Sequence, residues 1–107
     1  MLSDGIRYKI LRLLEENPQL SQRDLADRLG VSLGKANYCL QALIRLGHVK
    51  ARNFRNSENR STYLYVLTPK GLTAKARSAT RFLQLKIEEY EALQREIEAL
   101  KREQAGR

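Results

Sequence analysis

The sequence predicts a mainly α fold with a small β-hairpin: a winged helix-turn-helix followed by a long C-terminal dimerisation helix. Three observations among the 107 residues carry this expectation. Residues 21–49 place apolar side chains at helical spacing on either side of a Gly30-Val31-Ser32 break. Two short runs rich in Val, Tyr, Phe and Leu follow, at 49–54 and 62–67, with only polar residues between them. After Thr68-Pro69 nothing breaks a helix between Gly71 and Gly106.

The elements follow in order. A first helix is expected from about Ser3 to Glu16, because Ile6, Ile10, Leu13 and Leu14 recur at helical spacing and Asp4 suits the first turn. Asn17-Pro18 ends it. Ser21 can cap a second helix, with Asp24 three residues on as a capping box. Leu25 and Leu29 point one way from that helix, and Ala26 is small where the next helix must cross closely. Gly30 can take the positive φ that stops a helix abruptly. Val31 is expected to turn inward, and Ser32 to cap a third helix. Ala36, Leu40, Leu43 and Ile44 form the apolar stripe of that helix, and Gly47 ends it. The two runs then read as strands, joined through Arg55-Asn56-Ser57-Glu58-Asn59-Arg60-Ser61, a polar stretch suited to a hairpin tip.

Two helices joined in this way are the device that places a helix in the major groove of DNA. The residues left outside on the third helix are Ser32, Lys35, Asn37, Tyr38 and Gln41, which can hydrogen-bond or stack as a reader of base edges must. Lys35, Asn37, Tyr38 and Gln41 are the expected base readers. Ser32, Arg23 and the wing residues Arg52, Arg55, Asn56 and Arg60 are expected to hold phosphates or enter the minor groove. Charge agrees. Residues 1–78 hold 14 Lys or Arg against 6 Asp or Glu, whereas residues 79–107 hold 6 of each. The whole net charge of +8 therefore lies on the helix-turn-helix part, as a phosphate-binding surface requires.

Thr68-Pro69 opens the fourth helix with a capping hydroxyl and a proline whose missing N–H is harmless there. Its apolar positions settle into a heptad: Ala76, Leu83, Tyr90 and Ile97 on one seam position, Ala79, Lys86, Leu93 and Leu100 on the other. Phe82 and Ile87 flank that seam. A stripe that nothing else in the chain covers needs a partner, and Leu83, Tyr90, Leu93, Ile97 and Leu100 are expected to pair with a second copy. Folding back onto its own domain is the alternative. Lys86 and Tyr90 make the seam imperfect, so its orientation stays open.

Chemistry of other classes is sparse. His48 has no cysteine or carboxylate near it in sequence and reads as packing. Cys39, the single cysteine, cannot form an internal disulfide and reads as a buried thiol. The glutamates of the fourth helix alternate with Lys and Arg as a solvated face. No catalytic residues, metal ligands, cofactor or membrane span are predicted, no signal peptide is visible, and the chain reads as a cytosolic non-enzyme.

Several segments together resemble the MarR-type winged-helix repressors: Gln22-Arg23-Asp24-Leu25-Ala26, Gly30-Val31-Ser32, Leu43 to Gly47-His48-Val49, the arginine wing and Leu67-Thr68-Pro69-Lys70-Gly71. Others are similar to the small MarR-like regulators of bacterial exopolysaccharide gene clusters: Ile6-Arg7-Tyr8-Lys9, Ser32-Leu33-Gly34-Lys35, Asn37-Tyr38-Cys39-Leu40 and Asn53-Phe54-Arg55-Asn56-Ser57. The resemblance implies a homodimeric regulator of polysaccharide synthesis or export genes that binds double-stranded DNA. Typical members carry extra N-terminal sequence that helps build the dimer and a ligand pocket. Here dimerisation is expected to rest on the C-terminal helix, and no small-molecule effector is identified. The expected division is a DNA-binding domain at 1–71 and a dimerisation helix at 72–107. The rival reading is a protein-interaction adaptor, which would need an exposed apolar patch on the third helix.

Overall fold

Hydroxyl groups set where the helices begin. In the computed structural model, which describes residues 2–55 and 61–106, the elements are α1 (Asp4–Glu16), α2 (Gln22–Leu29), α3 (Leu33–Arg45), β1 (Val49–Arg55), β2 (Ser61–Leu67) and α4 (Pro69–Ala105). Ser3, Ser21, Ser32 and Thr68 each accept the backbone N–H three residues on, from Ile6, Asp24, Lys35 and Gly71, at 3.0–3.2 Å. Each such cap contributes about 1 kcal/mol by satisfying a donor the helix leaves open. At Ser21 the bond is reciprocated, since the Ser21 N–H donates to the Asp24 carboxylate at 2.9 Å. That bond is the first cause holding the Asp24 carboxyl below its ordinary range.

Gly30, at φ +69°, ends α2 as its sequence position implies. Its N–H reaches Asp27 O and the Val31 N–H reaches Ala26 O, so the orphan carbonyls are used within one turn. Gly47 (φ +78°) does the same for α3, with His48 N–H on Leu43 O at 2.9 Å. Val31 is only half-buried, short of the inward position expected for it.

The core draws on every element of the winged body. Ile10, Leu11 and Leu14 of α1 meet Leu25 of α2, Cys39, Leu40 and Leu43 of α3, Val49 of β1 and Tyr65 of β2. β1 and β2 pair antiparallel, with Val49 opposite Leu67 and Arg52 opposite Leu64. The Tyr65 N–H also donates to Pro18 O at 3.0 Å, tying the hairpin to the α1–α2 connection.

α4 has two parts with different surroundings. Its first turns pack on α1 through Ala74, the fully buried Ser78, and Phe82. Phe82 was expected beside the pairing seam. Instead its ring lies over Gly5, 6.1 Å from the Tyr8 ring centroid and within 5.5 Å of the Lys9 ammonium. A glycine on α1 leaves the opening that a large ring fills. From Leu83 to Gly106 every residue is exposed. A helix of 37 residues is about 55 Å long at 1.5 Å per residue, which overshoots the body and gives the molecule its 70 Å extent.

Candidate nucleic-acid interface

The outer face of α3 is set by what its inner face must bury. Ala36, Cys39, Leu40 and Leu43 are at most 1% exposed, so the opposite row, Gly34, Tyr38, Gln41 and Arg45, faces out. Asn37 and Lys35 flank that row, both exposed, and Gln41 is half-buried. Ser32 sits at the N-cap. Its oxygen accepts from Lys35 N–H at 3.1 Å, which leaves the hydroxyl hydrogen free to donate to an incoming phosphate. Arg23 is exposed in the first turn of α2. α3 contains no carboxylate, so nothing on this helix repels an anion.

Of the ten expected DNA-contacting residues, Lys35, Asn37, Tyr38 and Gln41 therefore lie along the outer side of α3, Ser32 caps that helix, and Arg23 is on α2. Arg52 is exposed on β1, on the neighbouring hairpin. Asn56 and Arg60 lie outside the described residues, as does the side chain of Arg55.

Two residues on this surface escaped the sequence reading. Arg45 continues the outer row at i+4 from Gln41, a spacing visible in the sequence. Leu33 is 44% exposed although helical periodicity places it on the core stripe. It lies one turn beyond the core's edge, which no periodicity reveals. Gly34 has no atom within 4 Å of the point where a Cβ would sit, so the fold does not require glycine there.

Among the described residues no cluster of three or more His, Cys, Asp or Glu side chains is placed to hold a metal, and no helix is long and apolar enough to cross a membrane. Cys39 is buried, as expected.

Residues 3–50 match a family of winged helix-turn-helix DNA-binding domains. Solved structures extend the likeness through the hairpin into α4. The PcaV transcriptional regulator of Streptomyces coelicolor, in complex with its natural ligand, is 26% identical with a TM-score of 0.60, over 75% of this chain and 55% of that one. The fold is a MarR-type winged helix-turn-helix. A Mycobacterium tuberculosis MarR family protein, solved with salicylic acid, has the same fold at 24% identity and a TM-score of 0.59, over 89% and 75% of the two chains. FabT of Streptococcus pneumoniae, solved in complex with DNA, has it at 23% identity and a TM-score of 0.53, over 78% and 56%. The chain thus spans about half the length of PcaV. No curated protein matches it in sequence. In this MarR-type frame α3 is the helix that the helix-turn-helix holds outward, and α4 is the long helix that leaves the body.

Proposed function

We propose that the protein is a sequence-specific double-stranded-DNA-binding transcriptional regulator, acting as a homodimer on a pseudo-palindromic operator. The observation that carries this is the carboxylate-free outer side of α3, which presents Lys35, Asn37, Tyr38 and Gln41 from the capped N-terminus onward. Asn and Gln can bond adenine bidentately, and Lys can reach guanine. A helix N-terminus adds partial positive charge where phosphates approach. The DNA complex of FabT, which has the same fold, supports the partner class. Regulation of exopolysaccharide synthesis or export genes rests on the motif resemblance around Ser32-Leu33-Gly34-Lys35 and Asn37-Tyr38-Cys39-Leu40.

Selection of bound fragments from the host genome identifies the operator and tests the gene assignment directly. Enrichment of fragments upstream of other gene classes would reject the exopolysaccharide reading and leave DNA binding intact. On the selected operator, Asn37→Ala or Gln41→Ala is expected to cost about 1–3 kcal/mol of preference over random DNA. Arg52→Ala should instead weaken both DNAs alike and flatten the steep salt dependence by about one counterion. Unchanged selectivity in both α3 variants would remove α3 from base reading. Failure of the wild type to bind any duplex would favour the adaptor.

A further inference from the structure

α4 is divided by charge as well as by its surroundings. Residues 69–86 hold five Lys or Arg and no acid, whereas residues 87–98 hold five Glu and one Arg. The apolar seam is divided by size in the same direction. Ala76 and Ala79 stand on the half that packs on the body; Leu93, Ile97 and Leu100 stand on the free half. Where the alanines lie, α1 and α4 leave a groove lined by Tyr8, Leu72, Ala76 and Ala79, together with Glu15 and Lys75, which bridge at 2.6 Å. Leu72 is 48% exposed there. At the boundary between the halves a cation occupies the seam. Lys86 Nζ lies 5.1 Å from the Phe82 ring centroid and 3.2 Å from the Glu89 carboxylate.

We propose that two copies of α4 pair antiparallel, with the partner's free half laid along the α1–α4 groove and the two-fold axis passing beside Glu88. This rests on the homodimer reading above and adds its direction and register. Reversing one helix brings each of the two seam positions opposite the other. In this register the partner's Leu100 faces Ala76, the partner's Ile97 faces Ala79, the partner's Leu93 faces Leu83, and the partner's Tyr90 faces Lys86, where a ring can receive the ammonium. Large meets small at both ends, so the helices keep an even separation over about 37 Å. A parallel pair would set Ala on Ala at one end and Leu on Leu at the other, and one separation cannot pack both. It would also place Lys86 against its own copy inside the seam. The two glutamate-rich stretches would then run side by side, near the distance of about 8 Å over which charges act at physiological salt. Antiparallel pairing instead lays residues 88–98 along residues 78–88 of the partner, which hold Arg81 and Lys86 against Glu88 alone. Glu89 comes near its own copy at the axis, and there each is held by the Lys86 of its own chain.

The direction of pairing decides where the winged bodies go. Ser78 lies midway along the contact of α4 with α1, between Ala74 and Phe82. In the antiparallel pair its copy lies beside Glu98, 20 residues along the axis, or about 30 Å. That is close to the roughly 34–36 Å between half-sites one helical turn of DNA apart. A parallel pair would bring both bodies to the same end of the rod.

Disulfide cross-linking of cysteine variants of the full chain reads the direction. Cys39 is buried, so the wild type supplies the blank. Residues 76, 87 and 100 are all exposed, so cysteine at each leaves the fold intact. Under mild oxidation, Ala76→Cys combined with Leu100→Cys should give a covalent dimer. Ile87→Cys, which adjoins its own copy at the axis, should do so alone. Leu100→Cys alone should stay uncrosslinked, because its two copies then lie 24 residues apart along the axis, about 36 Å and far beyond disulfide reach. Cross-linking of Leu100→Cys alone, as complete as that of the double variant, would establish a parallel pair and overturn the proposal. So would a wild type that sediments as a dimer while neither the double variant nor Ile87→Cys cross-links, since the copies would then meet through another surface. A wild type that sediments as a monomer would remove the homodimer reading itself, and the direction with it.

Discussion

Replacing Leu93 and Ile97 together with Asp is expected to give a folded monomer that no longer binds the operator. The proposed pairing surface is the free half of α4, where Leu83, Tyr90, Leu93, Ile97 and Leu100 are 42–61% exposed in the single chain. A surface groove runs along the same stretch, past Tyr90, Leu93, Gln94 and Ile97. Burying a large apolar side chain contributes about 1.5–3 kcal/mol, and a two-fold pair buries each one twice. Losing both residues from both copies therefore removes about 6–12 kcal/mol, before the cost of burying four carboxylates. The winged core is untouched, because neither residue contacts it. One winged domain reads only a few base pairs, so operator binding depends on two held at fixed spacing. Sedimentation and circular dichroism of the double variant check both halves of the expectation. A variant that stays dimeric would place the interface elsewhere, and a wild type that sediments as a monomer would remove the pairing altogether.

What the sequence made legible here are the features governed by near neighbours. Ser21, Ser32 and Thr68 cap their helices as expected, because a hydroxyl and an N–H three residues apart meet whatever surrounds them. The hairpin's extent is legible for the same reason, to within a residue: 49–54 and 62–67 were expected, and Val49–Arg55 and Ser61–Leu67 are observed. Phe82 was not legible. Its place over Gly5 depends on two helices crossing 77 residues apart in the chain, and a heptad pattern alone assigns it to the wrong surface. The recognition face was readable as the complement of the buried stripe, yet Leu33 shows where that logic stops. Periodicity gives the face of a helix, not where along the helix the core ends.

Gly71→Ala is expected to destabilise the junction beneath α4. A Cβ at Gly71 would sit 2.0 Å from the carbonyl oxygen of His48, 2.9 Å from its carbon and 3.3 Å from its Cα. All three are backbone atoms, so no rotamer change relieves the contact. The clash must push α4 away from the α3–β1 junction, against the bonds that hold it there. Those are Thr68 N–H to His48 O at 3.1 Å and the Thr68 hydroxyl to Gly47 O. Helix propensity opposes this outcome, since Ala is favoured over Gly by up to about 1 kcal/mol inside a helix. Overpacking against fixed atoms costs about 1–3 kcal/mol and occasionally more. Sterics should prevail, because 2.0 Å is far inside contact distance and the obstacle is main chain. The expected result is a net loss of about 2 kcal/mol, or roughly 8 °C or more in Tm for a body of this size. Gly34→Ala supplies the control, as its Cβ would enter open space. There propensity acts alone, and a gain of a few tenths of a kcal/mol is expected. Denaturant melts of the two variants should therefore move in opposite directions from the wild type. Equal shifts would mean that α4 can slide over His48, and that the angle at which it leaves the winged body is not fixed by this contact.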